Sequence, residues 1–196
     1  MSSEIEAVEP NPDAALLARV VAGSRDAFES LVTRHQGAVF RFARSIARTR
    51  EDAEDVLQET FLAAYKSVAG FRGESSLRTW LLIIARNAAF RMARRAPETT
   101  ELEEADVWDL GLRAGWGTHD PESLAIKAQR RERLQEALDS LEPAAREMIV
   151  LRDLEGLSGE ETAQVLGLTV EGMKSRLHRA RLKLAAALRQ GGEYGE

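Results

Sequence analysis

Residues 157–177 read LSGEETAQVLGLTVEGMKSRL, and this stretch decides the fold. Ser158 or Gly159 opens a short helix, Gly167 stands where a tight turn needs a positive φ angle, and Thr169 then begins a second helix. Ala163 is small enough for the two helices to cross closely. Three apolar residues are spaced to hold the second helix on the first: Leu168, Met173 and Leu177. The pattern predicts a helix-turn-helix, whose second helix enters the major groove of DNA.

The second helix of this motif carries side chains suited to DNA. Six polar residues are of the types that meet base edges and phosphates: Glu171, Lys174, Ser175, Arg176, His178 and Arg179. Arg181 and Lys183 follow and can neutralise further phosphates. A solvated basic face without a partner would carry the same charges, and the helix-turn-helix spacing just upstream is what favours DNA binding.

The motif ends a helical segment that begins near residue 120. Pro121 lies in the first turn of a long predicted helix, and Pro143 begins another that ends near Gly156. We therefore predict a helical domain over residues 120–190, followed by a tail, 191–196.

Residues 97–119 differ in composition from the chain on either side. Residues 97–126 hold 8 acidic residues and 1 basic residue, and glycines replace the amphipathic pattern. By contrast, residues 13–96 hold 14 basic and 9 acidic residues, so the overall net charge of −5 conceals a basic first segment. A structureless stretch of this length is unusual inside one compact domain. We interpret it as a flexible acidic linker between two domains.

The segment 13–96, behind a tail of residues 1–12, has helical patterning throughout. Asp13 can cap a short first helix. A second helix starts near Ser24 or Asp26 and carries apolar residues at helical spacing. We predict a first helical domain over this segment.

The third helix of this domain, predicted roughly over residues 51–68, has two different sides. Apolar residues share one side and should face a core: Val56, Leu57, Phe61, Leu62 and Tyr65. A polar stripe recurs at helical spacing on the other: Asp52, Asp55, Gln58 and Glu59. Spacing alone fits both a solvated acidic face and a docking surface for a basic partner.

A glycine-containing loop, residues 70–75, separates the third helix from a fourth. The fourth helix starts near Ser75 or Ser76 and ends before Pro97. Trp80 is spaced with apolar neighbours, which is more typical of a core residue than of a platform for stacking bases. Alternating β-branched runs typical of strands are missing. The predicted fold class is all-α, with two small helical domains joined by the acidic linker.

Two separated matches indicate a family. Residues 161–181 resemble the fourth conserved region of sigma factors, which binds the −35 promoter element, and residues 138–152 resemble its lead-in helices. Residues 52–61, DAEDVLQETF, resemble the second region's docking helix for RNA polymerase, and residues 71–87 resemble its −10-binding segment. A chain with these two regions resembles the extracytoplasmic-function type of sigma factor.

This resemblance implies a role for each set of residues. The polar stripe would dock on core RNA polymerase through Asp52, Asp55, Gln58 and Glu59. The loop would form a pocket for a base flipped out of the −10 element. The full −10 set would be Phe71, Arg72, Gly73, Glu74, Ser75, Ser76, Arg86, Asn87 and Arg91. The −35 duplex would be read by Glu171, Lys174, Ser175, Arg176, His178 and Arg179. Gly172 departs from the family's common threonine, and glycine inside a helix costs about 1 kcal/mol relative to alanine.

Composition excludes several kinds of site. The chain has no cysteine, hence no disulfide and no cysteine-based zinc site. The acidic start, MSSEIE, does not resemble a signal peptide, and no apolar run is long enough to cross a bilayer. We expect a cytoplasmic protein that does not insert into membranes and needs neither cofactor nor metal. Its expected partners are core RNA polymerase, promoter DNA and, by resemblance, an anti-sigma factor.

Two other classes of function compete with this interpretation. An enzyme would need a catalytic cluster, whereas His35, His119 and His178 lie in three different segments, and no glycine-rich phosphate loop follows a strand. A helix-turn-helix regulator without stable polymerase association shares the carboxy-terminal motif, but it has no need of residues 52–61 and 71–87. The linker either mimics nucleic acid in polymerase channels or serves as a solvated tether.

Overall fold

The described part of the chain consists of two consecutive groups of α-helices. The structure is a computed structural model and describes residues 12–94 and 121–190. The first group comprises α1 (Pro12–Val21), α2 (Arg25–Ile46), α3 (Arg50–Ser67) and α4 (Leu77–Ala93). The second comprises α5 (Pro121–Asp139), α6 (Pro143–Ile149), α7 (Gly159–Leu166) and α8 (Val170–Gln190). These two ranges contain no strand, and the predicted all-α class is confirmed. The predicted linker 97–119, the tail 191–196 and residues 1–11 lie outside the described residues.

Hydroxyl side chains cap the starts of α2, α3, α4 and α7, and a fifth caps α8. Ser24, Ser76 and Ser158 each accept a hydrogen bond from the backbone N–H three residues later, at 3.3, 3.1 and 3.1 Å. These caps confirm the predicted starts of α2, α4 and α7, and such a cap contributes about 1 kcal/mol. Thr49 caps α3 in the same way, and Asp52 accepts from the Thr49 N–H at 3.3 Å to complete a capping box. Asp52 is therefore engaged by its own helix.

Buried apolar side chains from both groups of helices belong to one cluster. In the first group the largest enclosed ones are Leu31, Val39, Phe42, Val56, Leu81 and Leu82. In the second group they are Met148, Ile149, Leu151 and Met173. The groups meet where α4 packs on α7 and where α2 packs on α6. The two predicted domains are therefore in direct contact.

The apolar side of α3 is narrower than the sequence pattern predicted. Val56 and Phe61 are buried, as expected. The prediction was wrong for Leu62 and Tyr65, whose exposed fractions are 57% and 54%. Leu62 follows Asp55 by seven residues, which places it on the polar side of the helix.

The helix predicted from Pro143 to about Gly156 changes its winding before its end. After α6 comes a π-helical stretch, Val150–Leu154, and the N–H of Glu155 donates to the Val150 carbonyl at 2.8 Å. Gly156, with a φ of 68°, terminates the turn. The wide turn places the Glu155 side chain in the interior, where it has no exposed surface.

Charged groups hold α1 on α2. Asp13 lies in the first turn of α1, and its carboxylate oxygens lie 2.8 Å from Arg34 Nη1 and 3.2 Å from His35 Nε2. Burial lowers the pKa of His35 from its ordinary value of 6.5, and this effect outweighs the opposite influence of Asp13. The cations Arg34 and Arg78 lower the same pKa further. Folding therefore favours the neutral imidazole of His35 over the charged form.

We expect the free energy of unfolding to depend on pH through His35. A base whose pKa is lowered by folding resists protonation in the folded state, so stability is lost as the pH falls below about 6.5 and through the lowered pKa. Urea unfolding at about pH 7.5 and about pH 5.5 measures this loss. The loss should be larger in the wild type than in His35→Gln, which has no titrating ring. The same loss in both proteins would contradict the prediction.

The predicted helix-turn-helix is present as α7, a turn at Gly167 and α8. Gly167 has a φ of 66°, in the left-handed region, as the sequence required. Ala163 is buried at the crossing of the helices, and Met173 and Leu177 are buried on the inner side of α8. Leu168 is partly buried against the same core. The motif therefore has the geometry that its spacing predicted.

Gly167→Ala should lower the free energy of unfolding by about 1–2 kcal/mol, because a side chain in the left-handed conformation strains the backbone by that amount. No neighbouring atom lies within 4 Å of the added Cβ, so the loss would come from the backbone alone. Urea unfolding followed by circular dichroism measures it. Gly70→Ala is the matched control, since Gly70 also faces open space but lacks a positive φ. Equal losses in the two variants would rule out this explanation.

Candidate nucleic-acid and protein interfaces

Three members of the polar stripe of α3 are on the protein surface. Asp55, Gln58 and Glu59 are exposed, whereas Asp52 is half-buried in the capping box. The three exposed residues line an open groove of about 310 Å³ between α3 and α4, which we call the α3 groove. Its remaining walls are Leu62, Ala88, Arg91 and Met92. The α3 groove therefore places carboxylate and amide groups beside apolar surface, a combination that suits a protein partner.

α4 contributes a basic residue to the α3 groove. Arg91 Nη2 lies 3.2 Å from Glu59 Oε1, and both side chains are about half exposed. Leu77 begins α4, and Arg91 lies about 21 Å further along the helix axis at 1.5 Å per residue. The structure thus places Arg91 beside the polar stripe, away from the loop with which the resemblance grouped it.

The loop between α3 and α4 is largely exposed. Arg72, Gly73 and Glu74 are open to solvent, and Gly73 has a φ of 71°. Phe71 packs on Trp80 with ring centroids 5.1 Å apart, and Trp80 is partly buried against the core. A groove of about 610 Å³ lies between this loop and α1. The sequence did not predict that α1 would form one wall of this groove. Amphipathic spacing shows which side of a helix is apolar, but it does not show which loop that side faces.

Arg86 and Asn87 differ in their availability for DNA. Asn87 is exposed on α4. Arg86 is half-buried, with its Nε 3.4 Å from Glu147 Oε2 of α6 and its guanidinium 4.5 Å from the centre of the Phe90 ring. In this arrangement Asn87 is free to meet a ligand, and Arg86 is engaged with the second group of helices.

The start of α4 is also joined to the second group of helices. Glu161 Oε1, on α7, lies 2.9 Å from Ser76 Oγ and 2.7 Å from Thr79 Oγ1, and both hydroxyls can donate to it. Glu161 also accepts from the Ser158 N–H at 3.0 Å, within the cap of its own helix. One carboxylate therefore caps α7 and binds the start of α4.

A third contact between the groups involves Glu155. Its two carboxylate oxygens accept from Arg41 Nε at 2.6 Å and Arg41 Nη2 at 3.0 Å. Arg78, from α4, donates to the same carboxylate. The Glu155 side chain has no exposed surface, while the two arginine side chains remain about one third exposed. A buried charge of this kind is tolerated because it is paired with two cations.

All six residues predicted to read the −35 duplex are exposed on α8. Four of them follow i, i+3, i+4, i+7 spacing and share one face: Glu171, Lys174, Ser175 and His178. Arg181 and Lys183 are instead paired, Arg181 with Asp153 at 2.5 and 3.0 Å and Lys183 with Glu142 at 2.8 Å. These two cations therefore help to hold α8 on the π-helical stretch and α6.

The glycine at position 172 has a local structural reason. Thr169 Oγ1 accepts a hydrogen bond from the Gly172 N–H at 3.1 Å and so caps α8. A Cβ at position 172 would lie 3.0 Å from that oxygen. A side chain there would crowd the capping hydroxyl. Keeping the cap intact therefore compensates for the lower helix propensity of glycine.

The glutamates between the two groups differ in electrostatic environment. Burial raises the pKa of Glu147, and the nearby Arg86 opposes this only in part. For Glu161, the hydrogen bond from the Ser158 backbone lowers the pKa, with smaller contributions from Thr79 and Ser76. The charged form is thus disfavoured at Glu147 and favoured at Glu161.

Residues 12–94 and 121–190 show no sign of two other kinds of site. No group of three or more histidine or acidic side chains within them is arranged to hold a metal ion. None of the helices in these ranges combines the length and apolar composition needed to span a membrane.

Comparison with known proteins relates both groups of helices to transcription proteins. Sigma-70 region 2 matches residues 31–98, and Sigma-70, region 4 matches residues 131–184. The chain is 36% identical over 174 residues to the ECF RNA polymerase sigma-E factor of Haemophilus influenzae, covering 86% of this chain and 91% of that protein. It is 38% identical over 176 residues to the ECF RNA polymerase sigma factor SigM of Mycobacterium tuberculosis, covering 90% of this chain and 84% of that protein.

A solved structure resembles the described fold as well. CnrH in complex with the cytosolic domain of CnrY superposes with a TM-score of 0.64 at 30% identity. The superposition covers 91% of this chain and 97% of that one.

Proposed function

The chain belongs to the extracytoplasmic-function sigma factors of RNA polymerase, and on that premise we propose how its residues divide the work of promoter recognition. As a sigma factor it binds core RNA polymerase, recognises the −35 and −10 promoter elements and promotes DNA melting for initiation. The assignment of tasks to residues depends mainly on one observation: a single chain combines the exposed α3 groove with an exposed helix-turn-helix face on α8.

The α3 groove is the proposed docking site for core polymerase. Asp55, Gln58 and Glu59 supply the polar contacts, and the exposed Leu62 supplies apolar area in the same groove. Asp52 has a mainly structural role in this proposal, because its carboxylate is used in the cap of α3. A basic polymerase surface with a few apolar side chains would complement this groove.

The loop before α4 is the proposed −10 site. Within residues 71–76, the groove beside α1 is lined by Phe71, Arg72, Gly73 and Ser75, and it is large enough for an extruded base. Asn87 and Arg86 extend the proposed site along α4. Extruding a base costs a few kcal/mol, which stacking and hydrogen bonds in such a pocket recover. Arg91, placed in this set by resemblance, is assigned instead to the α3 groove because of its ion pair with Glu59.

The amino-terminal half of α8 is the proposed reader of the −35 duplex. Glu171, Lys174 and Ser175 share the exposed face, with His178 one turn further along. Arg176 and Arg179 flank this face. Helix-turn-helix proteins read base edges with the amino-terminal residues of this helix, among which we place Arg176, and hold phosphates with the residues around them.

Start-site mapping tests the function. The purified full chain is added to sigma-free core polymerase with genomic DNA of its own host, and transcript 5′ ends are sequenced. We expect a defined set of start sites that share −35 and −10 elements. Binding to duplex DNA without any start-site selection would favour the rival, a helix-turn-helix regulator that acts without stable polymerase association.

An anti-sigma factor is the proposed inhibitor. The solved CnrH structure contains the cytosolic domain of CnrY, and this chain covers nearly all of that CnrH chain. Affinity purification of the tagged protein from unstressed cells of its host should recover a stoichiometric inhibitor that suppresses start-site selection. In this proposal the chain is a regulatory subunit, not an enzyme, and works in the cytoplasm with the polymerase.

A further inference from the structure

The groove of about 610 Å³ beside the proposed −10 loop has two sides, and the loop forms only one of them. The other side is α1, which packs on α2 and on the turn Val68–Gly70. Five residues of α1 line the groove: Asp13, Ala14, Leu17, Ala18 and Val21. The −10 residues proposed so far all lie at or beyond Phe71, so none of them belongs to α1.

The side of α1 that lines the groove is apolar. Ala14, Leu17, Ala18 and Val21 follow i, i+3, i+4, i+7 spacing and so share one face of the helix, which we call the α1 wall. Leu17 is partly buried against the core, and the other three are exposed, Val21 to 57%. A continuous apolar face left exposed in a groove is suited to a ligand that has apolar surface of its own.

The rest of the groove suits a nucleobase. Val68 and Leu77 line it and are buried. The loop adds the Phe71 ring and Arg72, whose side chain is 84% exposed. A base extruded from a single strand has two flat apolar faces, and its phosphate carries a negative charge. The groove therefore offers apolar surface on both sides of such a base and a cation for the strand beside it.

We propose that α1 completes the −10 site, with Val21 in contact with the extruded base and Asp13 as a positioning residue that holds the α1 wall in place. The inference deepens the proposed function and rests on it, since it takes the groove as the −10 site.

The carboxyl end of α1 is fixed by a local cap. Gly23 has a φ of 90°, and its N–H donates to the Val20 carbonyl at 2.9 Å. The N–H of Ser24 donates to the Arg19 carbonyl, also at 2.9 Å. These two bonds form the motif that commonly ends a helix at a left-handed glycine. They set the direction in which α1 meets α2, but they act only within the last turn.

The amino end of α1 is fixed by Asp13. Its carboxylate oxygens lie 2.8 Å from Arg34 Nη1 and 3.2 Å from His35 Nε2, both on α2, and its side chain is 17% exposed. Asp13 is therefore the polar link between the start of α1 and the helix beneath it. Without this link, only apolar packing would hold the first turns of α1, and the distance between the α1 wall and the loop would no longer be fixed.

The first test measures whether Val21 contacts the extruded base. The probe is a fluorescein-labelled non-template single strand that carries the mapped −10 element, together with copies that lack one base at each position in turn. The copy that loses most affinity for the wild-type full chain identifies the extruded base. Val21→Ala should bind the intact strand about 5-fold to 15-fold more weakly, because two fewer carbon atoms are buried against the base.

The strand without the extruded base makes this test specific. Val21→Ala and the wild type should bind it equally weakly, because the contact that the substitution removes is already missing. The fold should persist, since Val21 is exposed and alanine favours helix. Leu182→Ala is the matched control: Leu182 is also 57% exposed, lies on α8 and belongs to no proposed site. It should bind both strands as the wild type does.

Asp13→Asn tests the positioning role. The substitution removes a negative charge, so nonspecific electrostatics predicts slightly tighter binding of DNA. The proposal predicts the opposite: binding of the intact strand about threefold to fivefold weaker, the loss expected for one partly exposed ion pair. This loss should also vanish with the strand that lacks the extruded base. Asp26→Asn is the control, because it makes the same charge change at an exposed residue in the first turn of α2.

Three results would overturn the proposal. Val21→Ala that binds the intact strand like the wild type would exclude the α1 wall from the site. A loss of equal size on both strands would show that Val21 does not contact the extruded base. Asp13→Asn that binds as tightly as Asp26→Asn would remove the positioning role, and Val21→Ala alone decides if Asp13→Asn unfolds α1. A wild type that selects start sites without coupling at Val21 overturns only this inference, whereas one that selects none overturns the proposed function.

Discussion

Asp55→Ala combined with Gln58→Ala should weaken binding of the sigma factor to core RNA polymerase by about 30-fold or more. Removing central residues of a protein interface costs about 2 kcal/mol or more, which corresponds to that factor in the dissociation constant. Both side chains are exposed in the α3 groove. Neither has a structural role like that of Asp52, and alanine favours helix. The fold should therefore persist, and competition binding with labelled sigma factor measures the effect.

The matched control for this variant is Glu29→Ala combined with Gln36→Ala. These residues are exposed on α2, and the change likewise removes one carboxylate and one amide. Its affinity for core polymerase should remain near wild type. Binding of −35 duplex by the Asp55 and Gln58 variant should also be unchanged, because α8 is not altered. Equal affinities of test and control variants for core polymerase would exclude the α3 groove as the docking site.

Arg176→Ala should weaken binding to a mapped −35 duplex by about 5-fold to 150-fold, the range expected for losing one good base contact. Arg176 lies exposed on α8 and is held by no ion pair in the described part of the chain. Core polymerase docking should persist, because Arg176 lies on α8 and the proposed docking residues lie on α3. The substitution also leaves the buried side of α8 intact. Electrophoretic mobility shifts with wild-type and scrambled −35 duplexes measure both affinity and discrimination.

Arg189→Ala supplies the control for the −35 prediction. Arg189 is exposed in the last turn of the same helix, about 20 Å from Arg176 along the axis. It carries the same charge, so nonspecific electrostatics predicts similar losses for both variants. If Arg176→Ala lowers affinity for all sequences alike and reduces the salt dependence by about one charge, Arg176 contacts phosphate only. Identical behaviour of the two variants would remove Arg176 from the −35 site.

The sequence alone determined the helices and the turn that define the carboxy-terminal motif. Ser158 and Gly167 mark the start and end of α7 in the sequence. They can be recognised there because a capping hydroxyl and a left-handed glycine affect only the backbone within a few residues of their own position. The exposure of the proposed −35 residues also followed from spacing, since Met173 and Leu177 fix which side of α8 is buried. Such features depend on local geometry and helical periodicity, and both can be predicted directly from the sequence.

Only the tertiary structure decided which charged side chains are available. Nothing in the sequence distinguishes Arg86, paired across the boundary with Glu147, from an arginine free to bind DNA. Arg91 likewise lies in the α3 groove because α3 packs on α4, and Glu155 is enclosed because a π-helical turn directs it inward. An ion pair can form between any two segments that folding brings together. The sequence therefore does not show which acidic residue will pair with a given basic one. Which acid meets which base is therefore settled by packing of the helices.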